Sequence, residues 1–314
     1  MGTTCQNLPE AHTILQLFKI AVEIATPGMA ILGEAIVAPR QIMKYFGTGY
    51  LTNHECDIAY NATQMALQWD ALATTDTRNM LANQEIILQK PFGTTWINYT
   101  RCHDDIGLGF EDAFIEQVGF SPYHHREYLK NYLGGRLTTS PSSGDLFGVN
   151  PATNDARISG TLASLCGFEK AIKKKDKKAI QTSIDKILLL QANSILLNGI
   201  PMLFYGDEVG YTNDYSYLKD SGKSYDNRWM HRPIIDWNKN EKHKKKGTVE
   251  YHVFKGLQNV LNIRKNHEVF ADYNNLEWLK SHNRSIVGFK RVLNDTHVFC
   301  LFNYSPEQQL LTYY

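Results

Sequence analysis

An α/β protein built on a parallel sheet is the fold class this sequence predicts, and three observations carry the prediction. Short apolar runs that read as strands alternate with longer segments of helical period. Polar residues cluster just past the carboxyl end of such runs, at Glu34, at His103-Asp104-Asp105 and at Asp207-Glu208. Near the carboxyl terminus a period of two takes over, at Ser285–Val292 and His297–Asn303, and predicts a small antiparallel domain.

Taken in order, Asn7-Leu8-Pro9 reads as a helix start, with Pro in the first turn and Glu10 favouring the positive end of the dipole. Apolar residues at 14, 15, 18, 21, 22 and 25 recur at helical spacing as far as Thr26-Pro27-Gly28. Met29–Leu32 is a short apolar run, expected to be a buried strand that delivers Glu34. Pro39 opens a short helix through Phe46-Gly47, and Asp57–Tyr60 is a third short element. A helical stretch from about 63 to 90 follows, with a break near Thr74. Trp96–Thr100 is a strand that runs into the polar tip His103-Asp104-Asp105 and then Gly107. Residues 108–160 lack a sustained period and are rich in Gly, Ser, Pro and Asn, but their tyrosines and histidines argue for a folded excursion. Residues 161–198 read as a helix pair, the second amphipathic from Ile180 to Leu197. Gly199–Gly206 is expected to be a buried strand ending in Asp207-Glu208, and His252–Asn266 a last helix. In a closed barrel of eight βα units, functional side chains collect at the carboxyl ends of the strands. About four units can be counted here, so the expectation is half a barrel.

Composition narrows the chemistry. With 314 residues, 43% of them hydrophobic, the chain can bury a sizeable core. Its 33 basic and 32 acidic residues give a formal charge of +1, which makes no case for nucleic acid or an anionic membrane. The charge run Glu169–Lys178 reads as a solvated helix end or loop. Cysteines at 5, 56, 102, 166 and 300 are odd in number and lack metal spacing, as expected of reduced thiols in a cytoplasmic protein. Cys102 and His103 are strand neighbours pointing to opposite faces, so they are not expected to act as a pair. No apolar run approaches the ~20 residues of a membrane span, and the amino terminus is not signal-like. No phosphate loop and no metal-ligand spacing occur, so neither cofactor nor metal is expected.

The cluster at 103–105 is the chemically costly feature, because like charges repel and desolvation is penalised. Trp96-Ile-Asn-Tyr-Thr-Arg-Cys-His-Asp-Asp-Ile-Gly107 resembles the strand-end motif of the α-amylase superfamily of glycoside hydrolases, and the doubled Asp narrows the resemblance to amylosucrases. Gly33-Glu34-Ala35-Ile36-Val37 resembles that family's fifth-strand motif, and Asp57–Asn61 with Gln64–Leu67 its sixth strand and helix. Asn150-Pro151 through Asp155–Gly160 resembles the end of a subdomain inserted between the seventh and eighth units. Gly199–Gly210 resembles the eighth strand, and Asp226-Asn227-Arg228-Trp229 with His231-Arg232-Pro233 the loop after it. The resemblance implies the second half of a (β/α)8 TIM barrel with an inserted subdomain and a partial antiparallel β domain at the carboxyl terminus. It sets domains at 1–107 (units around strands five to seven), 108–160 (insert), 161–266 (last barrel helices, strand eight and its loop) and 267–314.

It also implies retaining cleavage of sucrose, with transfer of the glucosyl unit to an α-glucan or to water. A sucrose hydrolase or another α-glucosidase is the alternative enzyme, and an inactive truncated remnant the alternative outside enzymes. Such chemistry needs a carboxylic acid to protonate the leaving oxygen and a carboxylate nucleophile about 5–5.5 Å away. By resemblance Glu34 is the acid/base, with Leu32, Ala35 and Ile36 expected to give it apolar surroundings that keep it protonated. Asp104, counted with Glu34 as catalytic, and His103 would hold the ring hydroxyls more tightly as the oxocarbenium-like state forms. Asp105 and Arg157 would face the fructosyl or acceptor side, with Ile36 packing nearby. Arg228 would pair with an aspartate that closes the sugar pocket, and Asp207-Glu208 would buttress the rim. The family's nucleophile ends its fourth strand in a Gly-x-Arg-x-Asp-type segment, which these 314 residues do not contain. The expectation is therefore a fragment cut at both ends, with Leu310–Tyr314 stopping inside a β-sandwich. Alone, it should have exposed edges, low stability and no appreciable turnover.

Overall fold

The computed structural model describes residues 6–312. Cys5, the opening residues of the Met1–Pro9 stretch, and Tyr313-Tyr314 lie outside the described residues. The centre of the molecule is a parallel sheet. Strand β1 (Leu32–Gly33) pairs with β2 (Ile58–Tyr60), and β2 with β3 (Thr95–Asn98). Strands β4 (Asp145–Phe147) and β5 (Arg157–Ser159) form a separate antiparallel hairpin, and β6 (Ile200–Pro201) returns to the sheet beside β3. The order β1-β2-β3-β6 makes this a four-stranded half of a barrel.

Helices cover the outer side. Helix Ala62–Thr74 is capped by Asn61, whose side chain accepts from the Gln64 amide. It ends at Thr75, a non-glycine residue at φ 56°, and Arg78–Ile87 follows, so the expected break near Thr74 is present. Met65, Leu67, Trp69 and Met80 from these helices pack with Ile187 and Leu190 of helix Lys177–Leu196 into one core. At the strand ends, Asn61 Nδ2 donates to Asn98 Oδ1 at 2.9 Å, and Asn98 Nδ2 donates to the Asn198 carbonyl at 2.9 Å. This buried ladder fixes the heights of β2, β3 and β6 relative to one another. The last approach needs Gly199, at φ 130°, where a Cβ would stand 2.5 Å from the Trp96 carbonyl oxygen.

Three expectations change. Helix Pro9–Ala25 forms, but it turns its polar face inward. His12 Nδ1 lies 2.6 Å from Glu55 Oε2, Gln16 donates to Glu55 at 2.9 Å, and Lys19 donates to Asp57 at 2.6 Å. Ile14, Leu17, Phe18, Ile20 and Ile24 are exposed instead. The run Met29–Leu32 is not a buried strand: β1 is the sheet's edge, it covers only Leu32–Gly33, and Met29 and Leu32 are exposed. The buried strand expected over Gly199–Gly206 shrinks to Ile200–Pro201 for the same reason, since β6 is the other edge and Pro201 has no N–H to give.

The aperiodic stretch 108–160 holds helices Asp112–Gln117 and Pro122–Leu133 before the β4–β5 hairpin. At the carboxyl terminus β7 (Leu276–Trp278), β8 (Ile286–Leu293) and β9 (Thr296–Asn303) form the expected antiparallel sheet, which Arg291, fully buried, ties to the barrel by donating to the Leu196 carbonyl at 3.0 Å. The lysine run is solvated at the end of helix Phe168–Lys174, as expected. Cys56, Cys102, Cys166 and Cys300 are unpaired thiols. Among the described residues no helix is long and apolar enough to cross a membrane.

Candidate active site

The parallel sheet carries its side-chain chemistry past the carboxyl ends of β1 and β3. Glu34 follows β1 directly, and His103-Asp104-Asp105 closes the loop after β3. Strand β2 lies between these two in the sheet. Ligating atoms of Glu34, His103 and Asp104 come within 4.8 Å of one another. The fold therefore assembles a glutamate and a His-Asp pair that are 69 residues apart in sequence, from Glu34 to His103.

Arginines organise the aspartates. Asp104 Oδ1 accepts from Arg228 Nη1 at 3.0 Å and Arg232 Nη2 at 3.3 Å, while its Oδ2 lies 3.5 Å from His103 Nε2. Asp105 has the least exposed side chain of the three, with Arg157 Nε at 3.2 Å and Arg228 Nη1 at 3.8 Å. Burial pushes the Asp105 carboxyl upward, against the pull of Arg157 and Arg228. Arg228 also grips Asp226 in a fork, with Nε at 3.0 Å and Nη2 at 2.8 Å. That hydrogen bonding holds Asp226 below the usual carboxylate range. Arg228 is thus the centre of an ion network rather than a surface arginine. Its carboxylate partners among the described residues are Asp226, Asp104 and Asp105.

Ile36, Asp104, Asp105, Arg157 and Arg228 all line one open cleft of about 750 Å³, which runs on past Phe110 and Tyr123 of the inserted helices. The sequence-derived residues are therefore brought together. The surroundings of Glu34 differ from expectation: its carboxylate is exposed, as are the flanking Leu32 and Ile36, because β1 is the open edge of the sheet. The fold also makes a possible cation site from Glu34, His103 and Asp104, which linear spacing did not foretell. The two guanidinium groups on Asp104 oppose a further positive charge there.

Several supporting residues escaped the sequence reading. Phe147 on β4 carries both arginine planes, with the guanidinium carbons of Arg228 and Arg157 4.5 and 5.3 Å from its ring centre. Tyr60 ends β2 and stands edge-on to Tyr99; burial, and then the charges of Glu34, Cys102 and Asp104, push its hydroxyl upward. Cys102 Sγ accepts from the Asp104 amide at 3.4 Å, so it steadies the loop. Asp207 is fully buried against Arg101, whose Nη2 lies 2.8 Å from Oδ1. Nothing in the sequence pattern marked Phe147, because a three-residue strand, Asp145–Phe147, is too short to show a period.

No family profile matches the chain. It is 23% identical over 318 aligned residues to the glucosylglycerate phosphorylase of Escherichia coli K12, covering 98% of this chain and 51% of that protein. It is 26% identical over 222 residues to the trehalose synthase/amylase TreS of Mycolicibacterium smegmatis, covering 70% of this chain and 30% of that protein. The chain thus spans about half the length of the first relative and under a third of the second. Among solved structures, sucrose 6F-phosphate phosphorylase from Thermoanaerobacter thermosaccharolyticum superposes with a TM-score of 0.69 at 16% identity, over 97% of this chain and 52% of that one. The α-amylase from H. orenii superposes with a TM-score of 0.53 at 11% identity, over 94% and 47%. The chain thus shares its half-barrel fold with these two solved enzymes and is similar in sequence to the phosphorylase and the synthase.

Proposed function

We propose that the chain is the part of an amylosucrase-like enzyme that holds the glucosyl unit and supplies its proton. The observation that carries this reading is the convergence of Glu34, His103 and Asp104 within 4.8 Å beyond the carboxyl ends of the strands. In it Glu34 protonates the leaving oxygen of sucrose and then activates the acceptor hydroxyl. Asp104 and His103 hold the ring hydroxyls as positive charge develops. Asp105 and Arg157 face the fructosyl or acceptor side, with Ile36 alongside, and Arg228 fixes both aspartates. The acceptor is an α-glucan or water.

A phosphate acceptor fits less well. Each cation lining the cleft already faces a carboxylate: Arg126 meets Asp112, Lys130 meets Glu127, Arg157 meets Asp105, and Arg228 meets Asp226. An incoming anion would meet an acidic side chain beside each of these cations. A neutral hydroxyl compound has no such conflict.

The 314 residues hold no Gly-x-Arg-x-Asp segment, so on this reading they bind the glucosyl unit but form no covalent intermediate. The test is thermal. Sucrose or glucose should raise the melting temperature of the chain, as linkage requires of a real site, and inorganic phosphate should not. His103→Ala and Asp104→Asn should abolish the sugar-induced rise. No rise at saturating sugar would refute the reading. Steady fructose release abolished by Glu34→Gln would refute the lack of turnover.

A further inference from the structure

Beyond the Arg232 contact to Asp104, the motif His231-Arg232-Pro233 has no role in the reading above, yet it also holds the site through the His103 backbone. The His103 carbonyl oxygen takes two donors: His231 Nε2 at 2.9 Å and Arg232 Nε at 2.7 Å. His231 is 1% exposed, and its other ring nitrogen, Nδ1, accepts from the Gly160 amide at 3.1 Å. Its own carbonyl accepts from Arg101 Nη1 at 3.0 Å. Each polar atom of the ring is thus engaged, which fixes the tautomer with the proton on Nε2. Burial, followed by the nearby Arg101 charge, drives this imidazole down to about 3, so it is neutral across the working range.

The geometry points to His231 as a positioning residue that sets the placement of His103 and Asp104, acting from the loop after β6 upon the loop after β3. It bridges three segments: residue 103, the end of β5 at Gly160, and the 3-10 turn Asn227–His231. That turn also presents Arg228, so a shift of His231 would move the sugar clamp and the arginine centre together. The inference rests on the sugar-binding reading for its binding readout, but not for its structural one. Glutamine can accept from the Gly160 amide through its carbonyl and donate to His103 through its amide; leucine can do neither.

The experiment compares the full chain with His231→Gln and His231→Leu. Two readouts are used: glucose or sucrose affinity, and the nuclear magnetic resonance positions of the His103 ring and the Asp104 amide. His231→Leu is expected to weaken sugar binding about tenfold, near 1.4 kcal/mol, and to move both resonances. His231→Gln should stay within about twofold and leave the resonances in place. If His231→Leu does not fold, His231→Asn takes its place: its shorter side chain cannot span from the Gly160 amide to the His103 carbonyl, and it should move the same two resonances. Wild-type affinity and unmoved resonances in the leucine variant would overturn the inference. If the wild-type chain binds no sugar, the sugar reading fails by itself, and the resonances alone decide the positioning role: moved in leucine and fixed in glutamine supports it, unmoved in both overturns it.

Discussion

Replacing Arg101 or Asp207 should destabilise the chain more than almost any other single polar change, and replacing both should cost less than either. Both side chains are 1% exposed. Arg101 Nε lies 3.0 Å from each Asp207 oxygen, and Nη2 lies 2.8 Å from Oδ1. The guanidinium also sits 4.4 Å from the Phe204 ring centre and donates to the His231 carbonyl. Removing one partner strands a buried charge, which costs about 3–5 kcal/mol. For a domain of this size that is a fall in Tm of roughly 6–10 °C. Arg101→Met together with Asp207→Leu leaves no stranded charge; the His231 carbonyl and the Leu162 amide each lose a partner, at about 1–2 kcal/mol each. Urea denaturation followed by circular dichroism, with slopes compared to check that unfolding stays two-state, gives the four corners of the cycle. A coupling of at least about 2 kcal/mol is expected. If the double variant costs the sum of the two singles, the pair is not a stranded-charge problem and this argument is wrong.

Other expectations follow from the same geometry. Asp226 has a folded-state pKa held below its ordinary 3.8 by Arg228, so its contribution is complete above pH 3.8 and is lost as pH falls through the lower folded value. The Tm gap between wild type and Asp226→Asn should therefore be widest above pH 4 and close below it, and a gap that widens in acid would refute the sign. In helix Pro9–Ala25 the usual rule is inverted: Leu17→Glu or Phe18→Asp should change stability by less than about 0.5 kcal/mol, whereas Lys19→Ala should cost about 2 kcal/mol, as read by urea midpoints. Thr75→Gly should stabilise by about 1 kcal/mol by relieving the left-handed backbone at φ 56°, and a loss of stability would show that the Thr75 side chain outweighs that strain.

The period of the chain made most of the fold legible. The helix break at Thr74, the amphipathic helix after Asp176 and the β8–β9 alternation each depend on neighbours a few residues away, and each is where pattern placed it. Helix 122–133 was less visible, because its apolar residues are aromatic and partly exposed and only Pro122 marks its start. The inward polar face of helix Pro9–Ala25 was not legible at all. A hydrophobic period reports a helix but not which neighbour it meets, and here Glu55 and Asp57 supply polar partners from a loop that linear reading could not pair with it. The strand-end carboxylates were visible as residue types, yet their supports were not: Phe147, Tyr60 and His231 act across separations that only the fold closes.

Those supports divide the clustered carboxylates into two kinds. Asp104 is held by two guanidinium groups and Asp105 by the approach of two more contacts, from Arg157 and Arg228. The ion pairs of the described residues include none to Glu34. A carboxylate fixed by arginines through one oxygen is suited to hold hydroxyls and to face developing positive charge, and the cations beside it disfavour its taking up a proton. A carboxylate with no cation beside it keeps an oxygen free to carry a proton to a leaving group and back. On the proposed reading the proton carrier and the sugar clamp keep separate roles, because the arginines approach from the insert and the loop after β6, on the side of Asp104 and Asp105. Moving that charge is the direct way to test the division. Arg228→Met should free Asp104 and Asp105 to repel each other and Glu34, so sugar affinity should fall by at least tenfold while the separate core around Trp69 keeps the fold. Unchanged affinity would mean that the clamp is set by backbone alone, with Arg228 a spectator.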